Sequence, residues 1–161
     1  REFLNIADGT FIWRQLLSYE NSRLKSIVKM PKGQVRDSGL LHSLLGIVGK
    51  EKLLTDPIVG ASFEAFVIEE LIRGLQATML THWKPYYYRT RSGAEVDLIL
   101  EGPFGILPIE IKYGIKTDLK QLRNIEDFVI KNELPFGLLI NQAEDAYWLT
   151  KNIFQLPAKY L

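Results

Sequence analysis

Three ionisable residues in the middle of the chain carry a spacing that suits chemistry. Asp97 lies in the run Gly93-Ala94-Glu95-Val96-Asp97-Leu98-Ile99-Leu100. Glu110 and Lys112 lie in Leu107-Pro108-Ile109-Glu110-Ile111-Lys112-Tyr113-Gly114. Both runs alternate, and side chains in a strand alternate with a period of two. As two arms of a β-hairpin they place Val96, Leu98 and Leu100 on one face, opposite Glu95, Asp97 and Ile99. In the second arm Ile109, Ile111 and Tyr113 share a face, opposite Glu110 and Lys112. Asp97, Glu110 and Lys112 then point to one side of a sheet whose other side is aliphatic. Asp97 and Glu110, with the backbone carbonyl of Ile111, are hard oxygen ligands of the kind that suits Mg²⁺ or Mn²⁺. A metal so held would orient a water, lower its pKa and neutralise charge on a phosphodiester in the transition state. Lys112 would hold or polarise the water or stabilise developing negative charge. Arg89 and Arg91, on the preceding strand, could contact phosphates. The alternative is a cross-strand charge pair on an exposed face, worth about 0.2–1 kcal/mol. Glu95 is expected at the rim or in a salt bridge to Arg89 or Arg91.

A fourth acid comes from the strongest helical pattern in the chain, residues 60–80. Ala61, Ile68, Leu71, Leu75 and Met79 recur there at helical spacing. Glu64 falls on that apolar face, four before Ile68, whereas Glu69 and Arg73 fall on another. A carboxylate inside a packing stripe costs desolvation unless it is paired or binds a cation. The simpler alternative is a first-turn acid favoured by the helix dipole, worth about 0.3–1 kcal/mol.

Other elements must position these groups. Residues 10–17 and 25–30 read as strands joined by a polar turn over 18–22, and Pro31-Lys32-Gly33 reads as a turn. Residues 34–37 form a short extended piece. A helix follows, with Asp37 or Ser38 as N-cap, a stripe of Leu40, Leu41, Leu44 and Leu45, and Gly46 at its close. Residues 47–57 read as a loop with some helical turn. Residues 85–91 read as a strand, and its Tyr86-Tyr87-Tyr88 run packs the sheet against a helix or stacks bases. Thr117 can cap a helix running to about Lys131, with Leu119, Leu122, Ile125, Phe128 and Val129 buried. Residues 136–140 form an apolar run expected of a strand buried on both faces. Residues 146–149 read as a last strand, and 150–161 as a tail stopped by Pro157. His82 is expected to cap a helix C-terminus, and Lys29, Lys32 and Arg36 to lie on solvated surface. The order helix, three strands, helix, two strands predicts a mixed sheet flanked by helices.

At 161 residues, 47% hydrophobic and 24% charged, the chain suits one domain with an appendage. We divide it into an N-terminal extension of strands and one helix over 1–57, packed on a core over 58–161. The absence of cysteine excludes disulfides, thiolate metal sites and cysteine nucleophiles, and suits a reducing compartment. No apolar run approaches the ~18–20 residues a membrane-spanning helix needs, so a cytoplasmic location and no membrane partner are expected. The first residue is Arg1, as expected of a fragment of a longer protein. A net charge of +1 gives no global attraction to nucleic acid, which would need a local patch. Two histidines, His42 and His82, are too few for a histidine-rich zinc site.

Asp97, then Glu110-Ile111-Lys112 after a turn, with Glu64 in the preceding helix, resembles the signature of the PD-(D/E)xK nuclease superfamily. Longer phrases are similar to the C-terminal domain of unknown function of prokaryotic AAA-type ATPases. They are Arg36-Asp37-Ser38-Gly39-Leu40-Leu41, Gly60-Ala61-Ser62-Phe63-Glu64-Ala65-Phe66-Val67, Tyr87-Tyr88-Arg89-Thr90-Arg91-Ser92-Gly93-Ala94-Glu95-Val96-Asp97 and Pro108-Ile109-Glu110-Ile111-Lys112. This resemblance runs from about residue 8 to the end. It implies an α/β, restriction-endonuclease-like fold with an α-β-β-β-α-β core. It implies a nuclease-like DNA-processing or DNA-binding domain with Glu64, Asp97, Glu110 and Lys112 in a Mg²⁺- or Mn²⁺-dependent site. The alternative it leaves open is an inactive DNA- or protein-binding module. The implied partners are DNA and the N-terminal ATPase half. No Gly-x-x-x-x-Gly-Lys-Ser/Thr loop is present, so no ATP site of that kind is expected in this chain.

Overall fold

The structure is a computed structural model that describes residues 6–7, 9–19 and 30–161. Its elements are β1 (Trp13–Ser18), β2 (Lys32–Val35), α1 (Ser38–Leu44), α2 (Lys50–Thr55), α3 (Val59–Gln76), β3 (Lys84–Arg89), β4 (Glu95–Gly102) and β5 (Gly105–Ile111). After a 3-10 turn over Leu119–Leu122 come α4 (Arg123–Lys131), β6 (Gly137–Asn141), β7 (Tyr147–Trp148) and β8 (Ile153–Pro157). The strands join in one mixed sheet, ordered β2-β1-β3-β4-β5-β6-β8-β7. From Val59 onward the order helix, three strands, helix, strand is the expected one. β1 pairs parallel with β3, so the N-terminal strands lengthen the same sheet.

A helix covers each face. Val67, Ile68 and Ile72 of α3 pack on Leu16, Tyr87, Leu98, Leu100, Ile109, Ile111 and Ile140. On the other face Ile125, Phe128 and Val129 of α4 pack on Tyr88, Val96, Ile99, Leu139 and Ile153. Leu139 and Ile140 of β6 thus serve opposite layers, as a strand buried on both sides requires. Tyr87 and Tyr88 are buried in these layers, which settles their packing role. Among the described residues no helix is long and apolar enough to cross a membrane.

Several sequence expectations need correction. Lys32 and Gly33 are not a turn but belong to β2, which pairs antiparallel with β1 through Leu16↔Lys32 and Trp13↔Val35. Pro31 stands just before that strand, where its missing N–H costs no ladder bond. The helical turn expected within the 47–57 loop is, by contrast, present as α2. The tail contains β8, which pairs in parallel with β6 and buries Ile153, Gln155 and Pro157. Gln155 is tolerated there because Asn141 Nδ2 donates to its Oε1 at 3.0 Å and its Nε2 donates to the Asp145 carbonyl. Met79 is fully exposed because α3 stops at Gln76. His82 caps no helix end and bonds the Thr81 hydroxyl. Asp118, not Thr117, caps the next element by accepting from the Lys120 N–H. The strand expected over 25–30 lies, Met30 apart, outside the described residues.

The largest local departure is in β4. Partners run from Tyr86↔Ile99 to Tyr88↔Val96, so two steps on β3 oppose three on β4. Val96 and Ile99 therefore share one layer while Leu98 and Leu100 share the other. The extra residue falls at Asp97–Leu98, and the strict alternation of the sequence breaks there. Bulges of this kind re-aim a side chain and end regular pairing.

Candidate functional site

The bulge sets Asp97 where β4 and β5 part. Pairing between them begins at Leu98↔Ile109. Beyond it the Ile111 N–H donates to Asp97 Oδ2 at 2.8 Å, so a carboxylate replaces the next backbone carbonyl. β5 stays joined to β6 on its other side, where the Lys112 N–H donates to the Ile140 carbonyl. The backbone around Ile111 is thereby fixed from both sides.

The residues expected to act together do come together. Lys112 Nζ lies 2.5 Å from Glu110 Oε1 and 3.9 Å from Asp97 Oδ2. Glu64, in the second turn of α3, joins them through a residue that the sequence left on solvated surface. Lys32 Nζ lies 2.6 Å from Glu64 Oε1, 2.8 Å from Glu95 Oε1 and 3.8 Å from Asp97 Oδ1. Glu95 is at the rim, with Arg89 Nε 3.7 Å from its Oε2. Arg89 is thus already engaged by a carboxylate, whereas Arg91 is exposed in the turn that follows β3. Four carboxyl groups therefore face two ammonium groups, with Arg89 as an outer third cation.

That imbalance governs the electrostatics. Burial first, and the neighbouring Asp97 second, push the Glu110 carboxyl up from 4.5 to about 8. Burial likewise raises Glu64, with repulsion from Asp97 added and Lys32 opposing. Burial raises Asp97 despite Lys112, Lys32 and the Ile111 N–H, which favour its charged form. Burial alone would lower Lys32 and Lys112, but the surrounding carboxylates outweigh it and raise both. Carboxyl and ammonium groups that are all raised together mark a site with more acids than cations. Glu110 Oε2 is buried and has no hydrogen-bond partner among the described residues. A buried polar atom left unpaired is costly, and this one lies in the acidic cluster. No group of three or more His, Asp or Glu side chains among the described residues is arranged to hold a metal ion. The oxygen donors expected from the sequence are the Asp97 and Glu110 carboxylates, with the Ile111 carbonyl; of the two carboxylates, Asp97 Oδ2 accepts from the Ile111 N–H and Glu110 Oε1 pairs with Lys112.

A third buried acid, after Asp97 and Glu110, escaped the sequence reading. Glu69, on α3, is fully buried and forms a two-pronged pair with Arg14 of β1, Nη2 to Oε2 at 2.9 Å and Nε to Oε1. Arg36 Nε reaches its Oε2 at 3.0 Å, and Gln34 Nε2 its Oε1 at 3.3 Å. Arg14 and Gln34 are themselves cross-strand partners. This clamp ties β1 and β2 to α3, and β2 carries Lys32. Partners 33 to 55 positions apart leave no periodic trace, so only the presence of an acid in a helix hinted at it.

Comparison with known proteins agrees with a shared domain and adds no activity. Residues 59–161 match the domain of unknown function DUF4143. The chain is 31% identical to an uncharacterized protein of Mycobacterium bovis (strain ATCC BAA-935 / AF2122/97) and equally to one of Mycobacterium tuberculosis (strain ATCC 25618 / H37Rv). Each alignment covers 98% of this chain but 34% of the relative, so the chain spans about a third of their length. The matched span holds α3, the three strands after it and Glu64, Glu95, Asp97, Glu110 and Lys112, and on that match the chain belongs to the DUF4143 family.

Proposed function

We propose that this chain is a nuclease-like DNA-processing domain of the PD-(D/E)xK type, the C-terminal part of an AAA-type ATPase. The supporting observation is the unbalanced acidic cluster, in which buried Glu110 Oε2 lacks a partner beside Asp97 and Lys112. A group so placed is suited to a ligand that brings positive charge. The donor set is hard oxygen throughout, which fits Mg²⁺ or Mn²⁺ held by Asp97, Glu110 and the Ile111 carbonyl. Bound there, the ion would supply Lewis acidity and water activation for phosphodiester hydrolysis. The protein's own groups have separate tasks. Lys112, already hydrogen-bonded to Glu110, stands ready to polarise a water or to meet charge developing on phosphate. Asp97, by holding the Ile111 N–H, fixes the backbone that carries Glu110 and Lys112. Glu64 adds a carboxylate from α3, and Arg89 and Arg91 offer phosphate contacts at the edge. The greater length of the relatives leaves room for a nucleotide-binding half beyond this domain.

The test is cleavage of plasmid and single-stranded DNA by the purified chain with Mg²⁺ or Mn²⁺. Nicking is expected, and its loss in Asp97→Ala and in Lys112→Ala. Cleavage that survives both substitutions would refute the site assignment. A second reading, a catalytically inactive DNA- or protein-binding module of the same ATPase, is favoured by one observation. Lys32 and Lys112 already neutralise part of the acidic cluster without any metal. It predicts salt-dependent DNA binding, no cleavage with any divalent ion, and binding unaffected by Asp97→Ala.

A further inference from the structure

The two lysines of the site are held in different ways. Lys112 is built into β5's own continuation and reaches the acid two residues before it. Lys32 arrives from β2, at the edge of the sheet, and inserts its ammonium among carboxylates from α3 and β4. It is delivered by a braced element. β2 is paired with β1, and Glu69 holds Arg14 of β1 together with Gln34 and Arg36, two and four residues beyond Lys32. Behind Lys32, Trp13 packs over Gly33, where an added Cβ would meet the indole at 2.0 Å. The backbone at Lys32 is thus fixed, while its side chain is a flexible stem ending in a point charge.

Building on the divalent-cation reading of the site, we propose that Lys32 is a tethered counter-ion that competes with the metal. Its ammonium neutralises Glu64, Glu95 and Asp97 while no metal is held, and metal binding expels it. Three observations carry this. First, Lys32 and Lys112 flank the two oxygens of the same Asp97 carboxylate, at 3.8 and 3.9 Å. A dication on Asp97 would therefore stand within a few ångströms of the Lys32 ammonium, a repulsion that grows as 1/r and is little screened at a part-buried site. Second, Lys32 is the cation that pairs with Glu64 among the described residues, so a metal or a water that draws on Glu64 Oε1 must displace it. Third, the stem has somewhere to go. A cavity of about 250 Å³ between β2 and α3 is lined by Lys32, Glu64, Gln34, Leu41 and Ala61.

The measurement is Mn²⁺ titration by calorimetry on the wild-type chain, Lys32→Met, Lys32→Arg and the double variant Lys32→Met with Asp97→Asn. Removing the competing charge is expected to tighten Mn²⁺ binding about tenfold or more in Lys32→Met. Lys32→Arg should stay near wild type, and the double variant should lose the gain. Folded Lys32→Met that binds Mn²⁺ no tighter than wild type overturns the competition and leaves the metal reading standing. No Mn²⁺ binding in either protein overturns both. A second readout needs no variant. Acetylation of the Lys32 amine by a limiting reagent, followed by mass spectrometry, should rise several-fold when the wild-type chain is saturated with Mn²⁺. Labelling that stays unchanged while Mn²⁺ is bound also overturns the proposal.

Discussion

Glu110→Gln is expected to stabilise the metal-free protein, more at pH 8 than at pH 5. Glu110 is buried, its Oε2 is unpartnered, and burial and Asp97 raise its carboxyl from 4.5 to about 8. At 1.36 kcal/mol per pH unit, that displacement corresponds to about 5 kcal/mol as an upper bound on the cost at pH 8. Glutamine keeps the shape and the acceptor facing Lys112 but removes the charge. It gives back part of the gain, because an amide N–H₂ then replaces the orphaned oxygen and Lys112 loses an ionic partner. The net is about 1–3 kcal/mol in favour of the variant at pH 8. The sign follows from proton linkage. Between 4.5 and about 8 the folded state binds the Glu110 proton more tightly than the unfolded chain, so wild-type stability falls as pH rises through that window. Below 4.5 both states are protonated and the advantage of glutamine disappears. Urea denaturation of both proteins in EDTA at pH 5 and pH 8 measures the difference directly. A variant less stable at pH 8, or a gain equal at both pH values, would refute the reasoning.

Glu69→Ala strands two part-buried guanidinium groups and should cost about 2–4 kcal/mol, read as a lower urea midpoint. Burial opposes its ionisation, but Arg14 and Arg36 more than compensate and hold the Glu69 carboxyl below the ordinary range. The clamp's stabilisation is therefore present above about 4.5 and is lost as pH falls through the lowered value, which acid titration of stability in wild type against Glu69→Gln would show. Gly33→Ala forces the Trp13 ring off β2 and should cost about 1–3 kcal/mol, with Trp fluorescence reporting the displaced indole. Phe128→Ala empties the centre of the α4 layer, where the ring meets Tyr19 and Tyr88 edge to face, and should cost about 3–5 kcal/mol by the same denaturation assay.

What the sequence disclosed and what it hid divide along physical lines. The long helix, the alternating arms of β4 and β5, and the buried run of β6 are local patterns, so their residues could be read directly. The two leucines of β4 and the two β-branched residues Val96 and Ile99 could not be sorted correctly, because a bulge inserts a residue without any side-chain signature. β8 was hidden because a five-residue strand with a buried glutamine looks like a polar tail until Asn141 is seen to satisfy it. In the site, Asp97, Glu110 and Lys112 were legible because spacing within one hairpin juxtaposes them. Glu64 was placed by helical phase, although on its own that phase could not say what it touches. Lys32 was not legible. Its partners lie 32 to 65 positions away, and its immediate neighbours Pro31 and Gly33 point to a turn. The turn-forming residues instead flank the start of an edge strand from which that lysine reaches inward.

The central claim is that the acidic cluster is a divalent-cation site built on Asp97, Glu110 and the Ile111 carbonyl. Anomalous diffraction from crystals of the chain soaked in Mn²⁺ tests it most directly. The account predicts a Mn²⁺ peak among those three groups, with Lys32 withdrawn from Glu64. Mn²⁺ bound only elsewhere, or no peak with Lys32 and Lys112 still in their ion pairs, would contradict it.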